Sequence, residues 1–458
     1  MASQSTKQSF GSTPREVSRR NFLAAGGKAA AASALAGMTL PRAYAAEDST
    51  IHLAVIGCGG RGSGAVQNAF DPPNGQVKLV AMADLFDSRL KNSHDAMSKK
   101  ATKQVDVPPE RQFIGFDAYK KAIDCLRPGD VAMLTAYCGF RATHLEYAIR
   151  KGVNVFMEKP FAVDPLGVRR IIKLGEEAEK KNLKIGCGLM CRHSSARKAL
   201  IQKIRDGALG DVIVSKATRM GPFRHLGRKP ENENEVLWQI RNRIHVFWTG
   251  GGVFHDFSIH HVDEVCWLKD AWPVSAQGFG GRIPNSDDCG QNLDAYSVEY
   301  TFADGTKALV YARYAEGTDA AFDTFLHGSK CAAQFSGQTH APTVAIYKDQ
   351  RISDDNIAWK PDPERISPYN AEWHVLIDAI RNDKKHNEAK RGAYSDLAFL
   401  MGRAAVHSGK TITWDQAMAS HFTICKDIDT LNENSAPPIR ADAQGRLPAP
   451  IPGLWSEI

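Results

Sequence analysis

A glycine-rich turn between an apolar strand and a helix is the feature that most restricts how this chain can fold. Residues 51–56 are a short apolar run of the kind found in buried parallel strands. The sequence Gly57-Cys58-Gly59-Gly60-Arg61-Gly62 follows directly, then a stretch compatible with a helix, and residues 77–83 form a second strand that Asp84 closes. The order strand, glycine turn, helix, strand is typical of a βαβ unit in a parallel sheet.

In this context the spacing Gly57-x-Gly59-x-x-Gly62 predicts a dinucleotide site. Gly57 allows a tight turn, Gly59 lets the backbone approach a diphosphate, and Gly62 lets the helix pack close to the strand. The phosphates would lie at the positive end of the helix. At the end of the second strand, Asp84 can accept hydrogen bonds from ribose hydroxyls and repels a 2′-phosphate, which favours NAD over NADP. Glycines that merely shape a tight turn are the alternative.

Strands and helices continue to alternate as far as residue 160. Beyond the first unit, the patterns predict helices at 89–100, 117–126 and 143–151, and strands at 131–136 and 153–157. Repetition of this kind predicts a mostly parallel sheet with helices on both faces.

The pattern changes in the later part of the chain. It predicts helices at 165–182, 195–206, 369–383 and 393–408, and strands at 183–189, 212–218, 297–302, 306–314, 324–327, 331–335 and 344–348. Consecutive strands without intervening helices predict an open, largely antiparallel sheet. We therefore expect an α/β protein with an N-terminal Rossmann domain, a doubly wound parallel sheet, at 50–165. A C-terminal α/β domain with a large open, mostly antiparallel sheet is expected at 166–430, and an extended tail at 431–458.

The first 45 residues have the order of a secretory signal. A basic region with Arg19-Arg20 precedes a weakly apolar stretch rich in Ala and Gly, and Ala43-Tyr44-Ala45 supplies a small-x-small cleavage site. The adjacent arginines followed by x-Phe-Leu resemble the twin-arginine export signal, so we expect an exported, periplasmic protein. A buried amphipathic helix is the alternative. Because that route exports folded proteins, commonly with a cofactor inside, we expect a cofactor acquired in the cytoplasm.

Charge and cysteine content exclude several classes of protein. The formal net charge is +7, and residues 1–45 carry +5 of it, because they contain six Lys or Arg and one Glu. The remaining +2 does not support nucleic-acid binding, and no unbroken apolar run reaches the roughly 18 residues of a membrane span. The nine cysteines include no Cys-x-x-Cys pair. Cys187 and Cys191, near His193, lack a second pair with ligand spacing, so we expect packing thiols rather than metal ligands.

A second motif places a lysine at a predicted ligand-binding edge. Glu158-Lys159-Pro160 follows the predicted strand at 153–157. The carboxyl ends of parallel strands are where open α/β sheets bind ligands. A strand exit with a solvated charge pair is the alternative when this motif is considered alone.

Together with the glycine turn, this motif resembles the glucose-fructose oxidoreductase/inositol dehydrogenase (Gfo/Idh/MocA) family. The resemblance extends over nearly the whole chain after the signal, through His144 and the glycine run at 250–252 to the segment at 409–415. The exported twin-arginine branch is the most similar, given Trp238-Gln239-Ile240-Arg241-Asn242. The resemblance implies an NAD(P)-dependent oxidoreductase that transfers hydride between nicotinamide and a hydroxyl of a sugar, cyclitol or sugar derivative, with tightly bound NAD. It also implies a homodimer or homotetramer paired through the open sheet.

The resemblance assigns roles to residues of this chain. The acidic-x-x-x-His motif of the family matches Asp256 and His260, whose spacing puts both side chains on one helix face. By resemblance, Lys159 donates a hydrogen bond to the reacting oxygen, His260 is the general base, and Asp256 orients His260 or holds a neighbouring hydroxyl. Arg192 matches a position that often contacts substrate. The implied cofactor contacts are Gly57, Gly59, Gly60, Arg61, Gly62, Asp84, His144, Glu158 and Lys159.

Three alternatives remain open. Imidazole and carboxylate groups suit a metal ion, and the candidates are His255, Asp256, His260, His261 and Asp263. His255 lies off the face shared by Asp256 and His260, so no metal is expected. A redox-neutral glycoside hydrolase, lyase or epimerase would use NAD in a closed cycle; the glycine run continues into Val253, unlike the hydrolase branch, which favours a dehydrogenase. A non-catalytic periplasmic binding protein is disfavoured, because Lys159, Asp256 and His260 are all present. No roles are assigned to Arg219, Arg224, Arg241 and Arg243.

Overall fold

A computed structural model describes residues 49–284, 286–338 and 343–458 of the protein. The predicted signal segment, residues 1–45, lies outside these ranges. Within them, no helix combines the length and the apolar character that a membrane crossing requires.

Six parallel strands form the first sheet, in the order β3-β2-β1-β4-β5-β6. The strands are β1 (Ile51–Ile56), β2 (Val77–Asp84), β3 (Gln112–Ile114), β4 (Val131–Leu134), β5 (Asn154–Met157) and β6 (Ile185–Cys187). The helices of this half are α1 (Gly60–Ala69), α2 (Asp87–Lys100), α3 (Ala118–Asp124), α4 (Arg141–Lys151) and α5 (Pro165–Lys180). Apolar clusters cover both faces of the sheet, which explains why its central strands are apolar throughout. The strand order reverses between β1 and β4, the place where such sheets bind ligands.

Nine strands form the second sheet, in the order β14-β13-β12-β11-β7-β10-β9-β8-β15. They are β7 (Val212–Gly221), β8 (Ser275–Gly281), β9 (Ala295–Thr301), β10 (Lys307–Tyr314), β11 (Ala321–Gly328), β12 (Ala332–Ser336), β13 (Ala345–Tyr347), β14 (Ile357–Trp359) and β15 (Ile412–Thr413). All neighbours pair antiparallel except β7 and β10, which are parallel. The predicted fold class, a parallel Rossmann sheet followed by a mostly antiparallel open sheet, is therefore confirmed.

The remaining helices all lie after β6 in the chain. They are α6 (Ser195–Arg205), α7 (Glu235–Arg241), α8 (Phe247–Gly250), α9 (Gly252–Lys269), α10 (Pro368–Arg381), α11 (Ala389–Ser408) and α12 (Trp414–Ala419). Residues of β10 alternate between buried and half-buried, so one face of the sheet packs on the core. Helix α11 is buried on nearly all sides, because it packs against α5, α9 and β8.

The structure differs from the predicted organisation in several places. The first sheet continues past residue 165 to β6, and α10, from much later in the chain, packs against α1 and β6. Four strands were not predicted: β3, β8, β14 and β15. Residues 431–458, the predicted extended tail, contain neither a helix nor a strand, and the segment without these elements already begins at residue 420.

Candidate active site

A cavity of about 540 Å³ opens at the carboxyl ends of the parallel strands, within the size range of small-ligand sites. The glycine turn and Asp84 line one part of it. Lys159, Asp256 and His260 line another part. The two predicted motifs therefore contribute to the same cavity.

The three glycines of the turn differ in what surrounds them. Gly57 has a φ of +101°, and a Cβ there would lie 2.4 Å from the backbone nitrogen of Ala136. A Cβ on Gly62 would lie 2.2 Å from the carbonyl oxygen of Gly57. A Cβ on Gly59 would meet nothing within 4 Å, and Gly59 lines the cavity. The turn thus needs Gly57 and Gly62 for its own packing, whereas Gly59 leaves open space beside the backbone.

Asp84 closes the turn from the second strand. One carboxylate oxygen accepts from the backbone N–H of Cys58 at 2.6 Å, and the other accepts from that of Phe86 at 2.8 Å. Burial raises the pKa of Asp84, although these N–H groups oppose the shift. Each carboxylate oxygen can accept more than one hydrogen bond, so Asp84 can also accept from ligand hydroxyls.

Arg61 and Glu158, both predicted cofactor contacts, bind each other. The Nε atom of Arg61 donates to Oε1 of Glu158 at 2.6 Å, and Glu158 is buried. The same guanidinium donates to Asn68 at 3.1 Å and lies over the ring of Tyr369. This pair links the glycine turn to the end of β5, where Lys159 follows.

His144 is held neutral beside the cavity. It lies on α4, with its ring centroid 4.3 Å from that of Tyr119 and stacked on Phe140. Burial, together with the charge of Arg141, lowers the pKa of His144 to about 3. Arg141 itself donates to the carbonyl oxygens of Leu134 and Ala136, which fixes the chain after β4.

Lys159 and Asp256 meet at the other end of the cavity. The ammonium group of Lys159 donates to the main-chain oxygen of Asp256 at 2.6 Å and lies 3.5 Å from Oδ1 of its carboxylate. His260, one turn further along α9, is buried and lines the same cavity. The structure therefore brings the three predicted catalytic residues together.

Arg243 is a site residue to which sequence analysis assigned no role. Its Nη1 atom lies 3.2 Å from Oδ1 of Asp256, and its guanidinium lies over the ring of Tyr137. Burial alone would raise the pKa of Asp256, but the charges of Lys159 and Arg243 outweigh it and lower the pKa to about 2. Asp256 is therefore a carboxylate at neutral pH.

The other three unassigned arginines do not line this cavity. Arg241, two residues before Arg243, pairs with Glu233 at 3.0 Å. Arg219 lies between the rings of Phe257 and Phe322, and Arg224 is exposed. The basic segment 241–243 is the only sequence signal for Arg243, and nothing in it distinguishes Arg243 from Arg241.

The structure places Arg192, the predicted substrate contact, outside the cavity that contains Lys159. Its guanidinium donates to both carboxylate oxygens of buried Asp263, at 2.9 to 3.1 Å, and lies over the ring of Trp267. Arg192 lines a second cavity of about 440 Å³ instead. The Asp263 pair explains this placement, because a bidentate bond to a buried carboxylate fixes the guanidinium plane.

The candidates for a metal site point in different directions around α9. His255 Nε2 lies 3.0 Å from Oδ1 of Asp396, and its ring stacks on Phe399. His261 is buried near the ring of Phe322. In the described part of the chain, no group of three or more His, Cys, Asp or Glu side chains is arranged to hold a metal ion.

The charges around the cavity are unequal. Five cationic side chains line it, namely Arg61, Arg89, Arg141, Lys159 and Arg243. Three carboxylates line it, namely Asp84, Glu158 and Asp256. The excess of positive charge favours an anionic ligand.

Comparisons with known proteins agree on the fold. No protein-family model matches the chain. Inositol 2-dehydrogenase of Cereibacter sphaeroides is 28% identical over 171 residues, which are 37% of this chain and 43% of that protein. Inositol 2-dehydrogenase of Rhizobium meliloti is 24% identical over 273 residues, 58% of this chain and 70% of that protein. The chain thus spans less than half the length of the first of these relatives.

Solved structures are similar over a larger share of the chain. Aldose-aldose oxidoreductase from Caulobacter crescentus, complexed with glycerol, has a TM-score of 0.61 at 17% identity and covers 80% of this chain and 99% of its own. Scyllo-inositol dehydrogenase from Lactobacillus casei, with bound NAD(H) and scyllo-inositol, has a TM-score of 0.58 at 18% identity and covers 80% of this chain and 100% of its own. These similarities show the fold.

Proposed function

We propose that this chain is an NAD-dependent oxidoreductase of the Gfo/Idh/MocA family that oxidises a CH–OH group of a cyclitol or sugar. The observation that carries the proposal is the contact between Lys159 and Asp256, with His260 one turn away, in the cavity that the glycine turn also lines. The names of the curated relatives, inositol 2-dehydrogenases, support a cyclitol as the substrate class.

The residues of the cavity fit a dinucleotide. Open space beside Gly59 leaves room for a diphosphate near the backbone, and the net positive charge of the cavity lining favours an anionic ligand. Asp84 can accept from ribose hydroxyls, and its carboxylate disfavours the 2′-phosphate of NADP. Bound NAD would supply the hydride acceptor.

The catalytic residues divide the proton chemistry of alcohol oxidation among them. The Lys159 ammonium donates a hydrogen bond to the reacting oxygen and stabilises the charge that develops there. His260 accepts the hydroxyl proton, while the carbon that bears this hydroxyl would give its hydride to the bound NAD. The carboxylate of Asp256, ionised because its pKa is about 2, holds Lys159 and Arg243 in place and can accept from a neighbouring substrate hydroxyl.

Product analysis by mass spectrometry tests this function. Purified protein would be incubated with myo-inositol, scyllo-inositol, glucose and a glycoside panel, with and without free NAD. A product lighter by two hydrogens, formed with NADH, supports the dehydrogenase. Cleavage or isomerisation without net oxidation would replace the dehydrogenase proposal by a redox-neutral cycle. If none of the compounds is converted, the proposed function is rejected. Lys159→Ala should abolish turnover, whereas Lys180→Ala, an exposed lysine of α5, should not.

We also propose that the protein is exported through the twin-arginine route with NAD already bound, and that it assembles as a homodimer or homotetramer. Arg19-Arg20 and the Ala43-Tyr44-Ala45 site support export. Protein purified without added nucleotide should release NAD on denaturation, and replacing both arginines by lysine should retain the protein in the cytoplasm. A monomer mass in light scattering would contradict the assembly.

A further inference from the structure

Helix α11 has two buried charged side chains that contact the segments carrying the proposed catalytic residues. Asp396 and Arg403 are 0% and 1% exposed. They are seven residues apart, which is close to two helical turns, so they lie on the same side of the helix. Neither lines the cavity, and neither belongs to the catalytic set.

The carboxylate of Asp396 binds both segments that carry the catalytic residues. Its Oδ2 atom accepts from the backbone N–H groups of Phe161 at 2.6 Å and Ala162 at 2.7 Å, two and three residues after Lys159. Its Oδ1 atom lies 3.0 Å from Nε2 of His255, the residue before Asp256. One carboxylate therefore joins the Lys159 segment to the helix of Asp256 and His260.

Arg403 repeats this connection two turns along α11. Its Nη2 atom donates to the carbonyl oxygen of Val163 at 2.9 Å. Its Nη1 atom donates to that of Gly251, the N-cap of α9, at 3.4 Å. Nε donates to buried Glu457 at 2.7 Å, which fixes the orientation of the guanidinium. A planar guanidinium with several donors suits two carbonyl groups at once.

The contact between Lys159 and Asp256 cannot by itself fix the two segments. The two residues are 97 positions apart in the chain, and a lysine side chain is long and flexible. Buried hydrogen bonds from backbone N–H groups to a carboxylate are charge-assisted and hold the backbone directly. Asp396 makes two such hydrogen bonds, and the charged guanidinium of Arg403 donates to backbone carbonyl oxygens, which holds the backbone in the same way.

We infer that Asp396 and Arg403 are positioning residues that hold the Lys159 segment against the helix carrying Asp256 and His260. The catalytic meaning of this inference rests on the proposed function. A displacement of about 1 Å between catalytic groups can cost on the order of 100-fold in rate. Loosening this connection should therefore lower kcat while leaving the dinucleotide site, at the other end of the cavity, intact.

Three variants separate positioning from general stability. Asp396→Asn keeps the side-chain shape but removes the charge, and Arg403→Lys keeps the charge but cannot bridge two carbonyl groups. Val406→Ala is the matched control, because Val406 is equally buried on α11 but packs against Gly278 and Gly280 of β8. All three are expected to lower the melting temperature, and only the first two should affect catalysis.

Kinetics with myo-inositol, or with the substrate found in the product analysis, give the first readout. We expect Asp396→Asn and Arg403→Lys to lower kcat by about 10- to 100-fold. The Kd for NAD should change less than about threefold, because the glycine turn is not touched. Equal losses of kcat in Val406→Ala, or a kcat within twofold of wild type in both charged variants, would overturn the inference.

Hydrogen exchange gives a second readout that needs no turnover. Exchange at peptides covering 160–164 and 250–257 should be at least about tenfold faster in Asp396→Asn than in Val406→Ala. Unchanged exchange at both segments would overturn the inference even if activity falls. If wild-type protein converts no compound, the proposed function fails, whereas faster exchange would still establish the structural connection.

Discussion

Replacing Gly59 and Gly62 separately by alanine separates cofactor binding from folding within one turn. Gly59 has φ −77° and ψ −178°, a backbone conformation that alanine adopts without strain. An added Cβ meets no protein atom within 4 Å, so the change costs the fold little. At Gly62 the Cβ would lie 2.2 Å from the Gly57 carbonyl oxygen and 2.8 Å from Oγ1 of Thr135. Either the turn or α1 must then move.

The expected magnitudes follow from these distances. Overpacking of this kind costs about 1–3 kcal/mol. For about 400 residues, 1 kcal/mol shifts the Tm by about 1.2 °C, so the Tm of Gly62→Ala should fall by about 1–4 °C. Gly59→Ala should shift the Tm by less than about 1 °C. Its methyl group occupies the space that a diphosphate needs, and losing one charge-assisted hydrogen bond of about 1.5–3 kcal/mol weakens NAD binding by about 10- to 100-fold.

The assay is isothermal titration of NAD into nucleotide-free protein, alongside thermal melts of the same samples. Gly59→Ala should lose affinity at nearly unchanged Tm, whereas Gly62→Ala should lose both. Wild-type affinity in Gly59→Ala would refute the assignment of this turn to the diphosphate. An unchanged Tm in Gly62→Ala would refute the steric argument.

Three further predictions concern ionisable side chains that line the cavity. Asp256→Asn removes the carboxylate between two cations, and kcat should fall by about 100-fold or more in steady-state kinetics, with NAD affinity unchanged within about threefold. The pKa of His144 is lowered to about 3, so only the unfolded chain binds this proton between pH 6.5 and 3. Its contribution to stability is complete above pH 6.5 and falls by about 1.4 kcal/mol per pH unit below it. In urea titrations, the free energy of unfolding should therefore differ between pH 7 and pH 5 by about 2 kcal/mol less in His144→Gln than in wild type. An equal difference in the two proteins would contradict the buried neutral state of His144. Arg61→Met leaves buried Glu158 without its partner and should lower the free energy of unfolding by about 1–3 kcal/mol. This loss is smaller than for a fully buried pair, because Arg61 is half-exposed. Adding Glu158→Gln should recover part of the lost stability.

Local sequence patterns predicted most of the first half of the fold, and the reasons for the exceptions are physical. The glycine turn follows β1 and opens α1, as its spacing required. Strand β8 was not predicted because it contains Gly278, Gly280 and Gly281, and glycine is uncommon in strands. A Cβ on Gly278 or Gly280 would lie within 2.8 Å of the Val406 side chain, so the close approach of α11 requires glycine there. The parallel pairing of β7 with β10 depends on contacts distant in sequence, which no local pattern contains.

The candidate site was predictable only where its residues lie in short motifs. Lys159 follows a strand at the ligand-binding edge of the first sheet. Asp256 and His260 were identified by the resemblance of their motif to the family, and their spacing places them on one helix face. Arg243 reaches Asp256 only because a short turn before α8 points it into the cavity. Arg192 was expected at the substrate, but buried Asp263 binds its guanidinium elsewhere. Such choices between partners are made by tertiary packing.

The sequence of helix α11 contains two charged residues that are buried in the structure, Asp396 and Arg403. A helix with one face in solvent can point its charged residues toward water. Helix α11 has almost no solvent-exposed face, because it packs against three neighbouring elements. A charged side chain inside such a helix must find polar groups of other segments, because an unpaired buried charge is strongly destabilising. Those groups are main-chain atoms next to Lys159 and at the start of α9, together with the side chains of His255 and Glu457. An acidic or basic residue in the middle of a helix that is buried on nearly all sides therefore indicates polar partners in other segments, and for Asp396 and Arg403 these segments are the ones that carry the proposed catalytic residues.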